Sequence, residues 1–585
     1  MAEQSTPLGR YLRVNLTEGI FQEEQFPAET LRRYPGGTCL GVKVLYDEVS
    51  PQVSWSDPEN RFIVASGPLG GTRVNGSGTV SVITVGALTG GPATCQANGF
   101  LGAFLRQNGY DGLIIQGAAP RLSYLYIHDG QAELRDATHL AGVDTWEMID
   151  RFAEELALRP SQISVFGIGP AGENLVRFAA FVGDRGHVGG HNGTGAAMGA
   201  KRLKAIVIQR GRPVSVADPE ALARVADEIF QRKNPEGPYR WGTLRGVARG
   251  AEGYGWLPIK NYTTNEWDIT PEQLQTWDGP YIQEHYSPRR NSCWACRYTH
   301  CTLMTLPEGS KHAGFVGEEP EYEQFAAFGP VIDNKDAAEA FYLANRCDRL
   351  GFENNEMGWV IGFCMECYEK GILTKEQLDG LEMTWGNTEA VDALMDKIAR
   401  REGIGDLLAE GVMRAAQKIG GEAVNCAIYT MKGNSPRGHD HRARWTELFD
   451  TSVSDTGTME IGPMFNMPAD SLAKLGVEHL PGEFNPQEIV EFAAKTAGAM
   501  LFEDSMGTCR FNTQTDIPYL VQAVNVATGW NLTIEDALKA GRRAMHLLRA
   551  FNIRRGITPE LDRPGPRYSS TPVDGPAEGI SIQPH

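Results

Sequence analysis

The 585-residue sequence predicts an α+β protein with a β-rich N-terminal domain followed by two mainly α-helical domains. Short β-branched runs separated by glycine turns are dense from about residue 8 to residue 210. Helical periodicity dominates from about residue 217 to residue 556. A chain of this length also exceeds a single hydrophobic core. We expect domains at residues 1–212, 213–430 and 431–585, the last ending in an extended tail.

The N-terminal domain is predicted from apolar segments that are typical of strands, at residues 11–16, 61–65, 79–84, 112–116, 122–127 and 205–208. A helix is expected around residues 144–156. The polar stretch 211–215 contains Pro213 and is where we expect the first domain boundary.

The helical domains are predicted from apolar residues at helical spacing in residues 218–232, 336–350, 355–370, 388–401 and 406–419. Asp218 before Pro219 is typical of a helix start, and Gly351 of a helix end. Residues 558–585 are rich in Pro, Ser and Gly without such periodicity, so we expect a surface-wrapping or mobile tail.

Composition excludes some classes of partner. The formal net charge of -18, from 73 acidic and 55 basic residues, disfavours nucleic acid, because phosphate binding needs a basic surface. Neither a leader pattern nor an apolar stretch of about 20 residues is present, so we expect a soluble cytoplasmic protein without membrane insertion. In a reducing cytoplasm, clustered cysteines indicate metal sites.

Four of the ten cysteines form the strongest motif. Cys293, Cys296 and Cys301 lie within nine residues, and Cys509 follows far downstream. Four such thiolates favour an iron–sulfur cluster and hence electron transfer. A structural zinc site with His300 as fourth ligand, or cysteines without a ligand, are the alternatives. The remaining six are expected to be structural: Cys39, Cys95, Cys347, Cys364, Cys367 and Cys426.

Two acidic-glycine elements resemble each other. Asp348 precedes Gly351 by three residues, as Asp504 precedes Gly507. Such a turn lets a carboxylate accept hydrogen bonds from an N–H-rich ring, and the pair suggests a ligand with two like halves. Ordinary helix C-terminal turns are the alternative interpretation. Glycine loops around residues 96–102 and 189–201 suit phosphate groups, although neither matches a dinucleotide or P-loop motif.

A family resemblance emerges from several of these segments together. Both acidic-glycine elements and residues 12–17, 65–72, 87–90, 109–115, 169–174, 195–199, 320–323 and 549–556 resemble, in order, the aldehyde ferredoxin oxidoreductase family. The resemblance extends from about residue 8 to residue 556.

This resemblance implies a tungsten or molybdenum ion held by two pyranopterins on a base formed by the β-rich domain. It implies a [4Fe-4S] cluster on Cys293, Cys296, Cys301 and Cys509 as the electron exit. A magnesium ion bridging the pterin phosphates is a further option. The residues expected to bind the pterins are Arg73, Asn98, Gly99, Gly193, Gly195, Met198, Asp348, Gly351, Asp504 and Gly507.

The implied reaction is oxidation of an aldehyde to a carboxylic acid, with electrons passing to ferredoxin or a small iron–sulfur subunit and possible homo- or hetero-oligomers. The sequence departs from the family at three places. The cysteine spacing is C-x2-C-x4-C, Thr79 lies where an arginine is expected to bridge pterin and cluster, and Glu460 lies where a histidine is expected.

Candidate proton carriers are side chains that titrate near neutrality or could be shifted there by burial. They are Glu321, Glu323, His439, His441 and Glu460. A helix-capping role is the alternative for Glu321 and Glu323, and a solvated loop for the histidines.

Two other functions stay open. One is a low-potential reductase resembling the tungsten subunit of class II benzoyl-coenzyme A reductases. Those members place a cysteine on the metal near Glu321, whereas this chain has no cysteine between Cys301 and Cys347. The other is a zinc-stabilised, non-enzymatic scaffold.

Overall fold

The computed structural model describes residues 7–233, 242–299, 301–458, 460 and 467–585. It confirms the α+β prediction: strands dominate up to residue 209, and helices dominate after residue 219. Within these ranges, no helix combines the length and the apolar character that crossing a bilayer requires.

Two six-stranded sheets form the N-terminal part. The first contains β1 (Arg10–Asn15), β2 (Ile20–Gln25), β3 (Phe62–Ala65), β4 (Val80–Val85), β5 (Pro92–Ala97) and β6 (Gly112–Gln116) in the order β2-β1-β6-β3-β4-β5. The second contains β7 (Ser123–His128), β8 (Gln131–Asp136), β9 (Ile163–Gly167), β10 (Phe181–Gly183), β11 (His187–Gly189) and β12 (Leu203–Gln209) in the order β11-β10-β9-β12-β7-β8.

The second sheet repeats the first. In each, the first strand pairs antiparallel with the second and parallel with the sixth. The third strand pairs antiparallel with the sixth and the fourth, and the fourth with the fifth. The N-terminal domain therefore contains one strand topology twice, in residues 10–116 and 123–209. The strand patterns in the sequence did not predict this duplication.

Helices connect and cover the sheets. In the N-terminal part they are α1 (Ala28–Arg33), α2 (Gly37–Glu48), α3 (Leu101–Gln107), α4 (Thr145–Glu155), α5 (Pro170–Glu173) and α6 (Thr194–Ala200). After residue 218 come α7 (Pro219–Arg232), α8 (Gly246–Gly250), α9 (Pro271–Gln275) and α10 (Gly279–His285). A small sheet follows, with β13 (Arg289–Arg290), β14 (Thr302–Thr305) and β15 (Val316–Glu318). We call residues 289–318 the cysteine arm.

The remaining helices build the rest of the chain. They are α11 (Tyr322–Phe328), α12 (Ala337–Leu350), α13 (Asn354–Glu369), α14 (Thr388–Arg400), α15 (Ile404–Leu408), α16 (Val412–Ile419), α17 (Trp445–Val453), α18 (Ala469–Lys474), α19 (Pro486–Thr496), α20 (Ala499–Asp504), α21 (Arg510–Thr513), α22 (Ile517–Thr528) and α23 (Ile534–Arg554).

The helix predicted for residues 406–419 is wrong in one respect, because it is divided into α15 and α16. Gly411 between them has a φ of 92°, outside the right-handed helical region. The amide of Val412 then donates to the carboxylate of Glu356 at 2.7 Å rather than continuing a helix. The tail packs against the rest of the chain, and its Tyr568 is buried. This agrees with the surface-wrapping alternative expected for residues 558–585.

The N-terminal sheets and the C-terminal helices meet backbone to backbone. Gly67, two residues after β3, lies against Ser505 and Gly507, which follow the end of α20 by one and three residues. A Cβ atom at Gly67 would overlap the carbonyl of Ser505, so only glycine permits this approach.

We therefore predict that Gly67→Ala lowers the stability of the protein by about 1–3 kcal/mol, because the backbone on both sides must shift. Thermal unfolding at a fixed scan rate would measure the loss. Gly482→Ala is the matched control, since a Cβ atom there meets nothing closer than Glu488 Oε2 at 3.3 Å. Equal melting temperatures for the two variants would contradict the close packing.

Candidate functional site

A cavity of about 270 Å³ lies between the N-terminal sheets, the cysteine arm and the C-terminal helices. Strand β5 contributes Gln96 and the loop after it Asn98, while β11 contributes His187 and the loop after it His191. Its remaining polar lining includes Glu318, Glu319, Glu321, Glu323, Gln324, Glu353, Arg437 and Arg510. Two of the four motif cysteines, Cys301 and Cys509, also border it.

Both acidic-glycine turns dock on equivalent points of the repeated sheets. Gly351 has a φ of 84° and Gly507 a φ of 77°. An ideal Cβ at Gly507 would lie 2.7 Å from the amide nitrogen of Gly67, and one at Gly351 would lie 2.7 Å from that of Gly169. Gly67 follows β3 and Gly169 follows β9, the matching strands of the two sheets, and each precedes a proline. The two turns therefore occupy corresponding positions.

The carboxylates of the turns are buried and differ in their partners. Asp348 Oδ2 accepts a hydrogen bond from Gln324 Nε2 at 2.6 Å, whereas its Oδ1 is buried and has no hydrogen-bond partner among the described residues. Asp504 pairs with Arg510, which borders the cavity. Burial raises the pKa of both aspartates. The orphaned oxygen of Asp348 is the kind of acceptor that an N–H-bearing ligand would satisfy.

The structure gathers the four motif cysteines. The Cys293 and Cys301 sulfurs lie, together with a nitrogen of His187, within 4.8 Å of one another. Burial, reinforced by Cys293 and Cys296, raises the pKa of Cys509 to about 12. Asn512 Nδ2 lies 3.9 Å from Cys296 Sγ. Thiols close enough to raise one another's pKa are a donor set for a metal cluster. His300 lies outside the described residues.

The cysteine arm contacts two loops of the N-terminal domain, the loop that precedes β4 and the loop that follows β5. Trp294 donates its amide to the Gly99 carbonyl at 3.0 Å and its indole N–H to the Thr72 carbonyl at 3.1 Å. Cys509 donates its amide to the Gly76 carbonyl at 3.1 Å. The N-terminal domain thus orients cysteines that come from two distant parts of the chain.

The predicted pterin-binding residues divide into two groups. Asn98 borders the cavity, and Gly99 lies next to it. Gly193 and Gly195 instead face the backbone of residues 177–180, where a side chain would not fit. Met198 is fully buried in the core of the sheets.

Arg73 departs from its predicted place because its side chain is exposed. It lines a separate apolar cleft with Pro213 and Trp294. Thr79 does border the cavity, and its hydroxyl contacts the Gly76 carbonyl at 3.0 Å and Asn98 Oδ1 at 2.9 Å.

Among the predicted proton carriers, Glu321 and Glu323 border the cavity. Glu321 also precedes α11 at the N-cap position and accepts a hydrogen bond from the Thr243 hydroxyl. Glu323 lies in the first turn, with its Oε1 3.7 Å from Arg437 Nη1. Both predicted carboxylates therefore lie where a molecule in the cavity could contact them.

His439 and His441 are buried but do not belong to the lining of this cavity. His439 Nδ1 and His441 Nε2 lie 3.0 Å and 2.8 Å from Glu447 Oε2. The His439 ring stacks on Tyr322, with 4.6 Å between the ring centroids. Burial lowers the pKa of His439 to about 4 and lowers that of His441, so both rings are neutral near pH 7. The solvated-loop interpretation does not hold.

Glu460 is buried, and backbone amides of its own loop donate hydrogen bonds to its carboxylate. Its carboxylate accepts backbone hydrogen bonds from Asp455 at 3.1 Å and Thr456 at 2.9 Å. Burial, reinforced by Asp455, raises the pKa of Glu460 to about 8. It can carry a proton at neutral pH, but it is not among the described residues that line the cavity.

Sequence reasoning missed several cavity residues, among them His187, Glu318, Gln324 and Arg510. Burial raises the pKa of Glu318 to about 8. No spacing signal pointed to these four residues. The sequence does contain a repeat elsewhere, because Gly-Pro-x-Gly occurs both at residues 67–70 and at residues 169–172. That repeat marks where the two acidic-glycine turns dock.

Comparison with known proteins identifies the family. Residues 11–210 match the aldehyde ferredoxin oxidoreductase N-terminal domain, and residues 220–584 match domains 2 and 3 of the same family. The chain is 31% identical to the tungsten-containing aldehyde ferredoxin oxidoreductase of Pyrococcus furiosus, covering 98% of this chain and 94% of the relative. It therefore belongs to the aldehyde ferredoxin oxidoreductase family and is an oxidoreductase, so the non-enzymatic scaffold is wrong.

Other relatives have different reactions in their names. A WOR-like subunit of an aliphatic sulfonate oxidoreductase from Pyrococcus furiosus is 29% identical over 98% of this chain and 91% of its own. A solved structure of the BamBC active-site complex of benzoyl coenzyme A reductase, with 1,5-dienoyl-CoA, superposes with a TM-score of 0.84. That match has 26% identity and covers 96% of this chain and 91% of the other.

We predict that Cys509→Ser reduces the iron bound by the purified protein to well below the wild-type content, because a hydroxyl is a poor cluster ligand. Iron analysis and the visible absorption spectrum would measure this. Cys364→Ser is the control, since that thiol is buried in the helical core among apolar residues. Equal iron in the two variants would argue against Cys509 as a ligand.

Proposed function

We propose that this protein is a tungsten or molybdenum bispterin enzyme that oxidises an aldehyde to a carboxylic acid and releases electrons through a [4Fe-4S] cluster. One observation carries the proposal: two like acidic-glycine turns dock on a duplicated base. Beside it lie Cys293 and Cys301, whose sulfurs are close together, and Cys296 and Cys509, which interact electrostatically with Cys293. The tungsten-containing relatives support the choice of metal.

The described residues fit such a cofactor. Asp348 offers an unpaired buried oxygen to one pterin ring, and Asp504 with Arg510 offers a charged pair at the corresponding place. Asn98, Gly99 and the loop at His191 line the base between them. A magnesium ion between the pterin phosphates remains compatible with the acid-rich lining. When bound, the cofactor supplies a centre that accepts two electrons from the substrate.

The balanced reaction is R-CHO plus water giving R-COOH, two protons and two electrons. Within the chain, Glu323 is the group that we assign to proton removal, because it borders the cavity and is oriented through Arg437. Glu321 is held by Thr243 at the start of α11 and lies beside it. Exclusion of water by the surrounding buried residues strengthens these electrostatic contacts.

Electrons leave one at a time through the cluster to a ferredoxin or a small iron–sulfur subunit. Cys293, Cys296 and Cys301 are only partly buried, which supports a cluster site that a partner protein could approach. Names of the relatives include a subunit and a two-component complex, which supports a partner protein.

A low-potential reductase is the second candidate, supported by the likeness to the benzoyl coenzyme A reductase complex. The absence of a cysteine between Cys301 and Cys347 favours the aldehyde reaction. Assays with aldehydes and with an aromatic thioester of coenzyme A would separate the two.

Elemental analysis of anaerobically purified protein should give about one tungsten or molybdenum and about four iron per chain. The same preparation should reduce benzyl viologen with at least one aldehyde of a panel. Zinc without iron, tungsten or molybdenum would overturn the proposal. Metal content as expected, with reduction of the thioester and no aldehyde activity, would select the second candidate.

Glu323→Gln should lower kcat for the aldehyde by about 10²–10⁴, the usual contribution of a general base, while the metal content stays unchanged. Glu308→Gln, an exposed carboxylate on the cysteine arm, is the control and should retain full activity. An unchanged kcat in Glu323→Gln would remove this residue from the proton path.

A further inference from the structure

One histidine lies between the cavity and the thiols. His187 is the first residue of β11 and pairs with Gly183 at the closed end of the β10–β11 hairpin. Asp184, Arg185 and Gly186 form its tight turn with positive φ values. The hairpin tip therefore presents a buried imidazole to the cysteine arm.

The imidazole contacts a motif thiol and also borders the cavity. Its Nε2 lies 3.5 Å from Cys293 Sγ, and the residue also borders the cavity that we assign to the cofactor. Its Nδ1 lies 3.8 Å from Glu318 Oε1, on β15 of the same arm. These contacts leave Nε2 facing the thiol and Nδ1 facing the carboxylate.

Neighbouring groups fix the ring. Glu318 also accepts a hydrogen bond from Asn291 Nδ2 at 3.3 Å, two residues before Cys293. A Cβ atom at Gly186 would overlap the Glu318 carboxylate, and one at Gly99 would lie 3.1 Å from His187 Cδ2. The hairpin, the arm and the Gly99 loop thus hold the imidazole in one position.

Thr79 cannot make the contact with the thiols that His187 makes. Its hydroxyl is engaged with the Gly76 carbonyl and with Asn98 Oδ1, so it offers the thiols no hydrogen bond in this arrangement. Asn512 Nδ2 approaches Cys296 Sγ at 3.9 Å but is absent from the lining of the cavity.

We propose that His187 is a positioning residue that joins the cofactor cavity to the cluster by donating its Nε2–H to the Cys293 thiolate. This inference rests on the proposed function, because it assumes that the four thiols carry an iron–sulfur cluster. A hydrogen bond to a cluster sulfur stabilises the more negative, reduced cluster and so raises its reduction potential. His187 thereby makes the cluster a better acceptor for an electron from the cavity side.

The test is an anaerobic redox titration of the cluster, followed by electron paramagnetic resonance, in the metal-loaded enzyme. His187→Leu removes the donor and should lower the midpoint potential. His187→Gln restores an N–H of similar reach and should return the potential toward the wild-type value. His285→Leu changes an exposed histidine on α10 and should leave the potential unchanged.

Several outcomes would overturn the inference. An unchanged potential in His187→Leu would do so, and so would an equal shift in the Leu and Gln variants, which would indicate packing rather than hydrogen bonding. Loss of iron in His187→Leu alone would make His187 a cluster ligand instead of a donor.

A second measurement keeps the inference testable if the variants do not assemble. In wild-type enzyme with ¹⁵N-labelled histidine, pulsed electron paramagnetic resonance of the reduced cluster should detect a weakly coupled imidazole nitrogen and an exchangeable proton. Absence of both would contradict the hydrogen bond. Wild-type protein without iron and without tungsten or molybdenum would instead contradict the proposed function itself.

Discussion

The close approach of glycine backbones at two equivalent points is the constraint on which the rest of the structure depends. Gly507 meets Gly67 and Gly351 meets Gly169, and no side chain would fit at either contact. These contacts attach turns from two different parts of the helical region to a base that uses one strand topology twice. They also bring Asp348 and Asp504 to corresponding places, and the second turn leads directly to Cys509. Packing geometry thus determines where the candidate ligand groups lie.

Burial of charge is the main cost of this arrangement. Burial raises the pKa of Glu318 to about 8 and also raises those of Asp348, Asp504 and Glu353. Ionised carboxylates without partners are costly in a buried site, so these groups need protons or donors. Gln324 and Arg510 meet part of that need, and one oxygen of Asp348 finds no hydrogen-bond partner in the part of the chain that the structure describes. A ligand rich in N–H groups would supply the missing hydrogen-bond donors. The buried charge beside the cavity is thereby linked to the proposed occupant.

The sequence predicted the fold class, six strands and the family, because each depends on local patterns or on motifs in order. It did not predict β2, an edge strand whose residues are largely exposed, or β10 and β11, which have three residues each. The four cysteines were predictable from spacing, whereas His187 joins them only through a hairpin whose position depends on the tertiary fold. Arg73 was expected at the cavity because it is close to Thr79 in sequence, but its side chain points to solvent. The buried position of His439 and His441 likewise depends on tertiary contacts, with Glu447 and Tyr322. Burial lowers the pKa of both rings even though the Glu447 carboxylate acts to raise it.

The central claim is that the duplicated base holds two like ligands, one under each acidic-glycine turn. The most direct measurement is the pterin content of the purified enzyme, released, oxidised to a fluorescent derivative and counted against protein and against tungsten plus molybdenum. We predict two pterins per chain and two per metal ion. One pterin per chain, or none in protein that retains its metal, would contradict the claim that both turns serve the same kind of ligand.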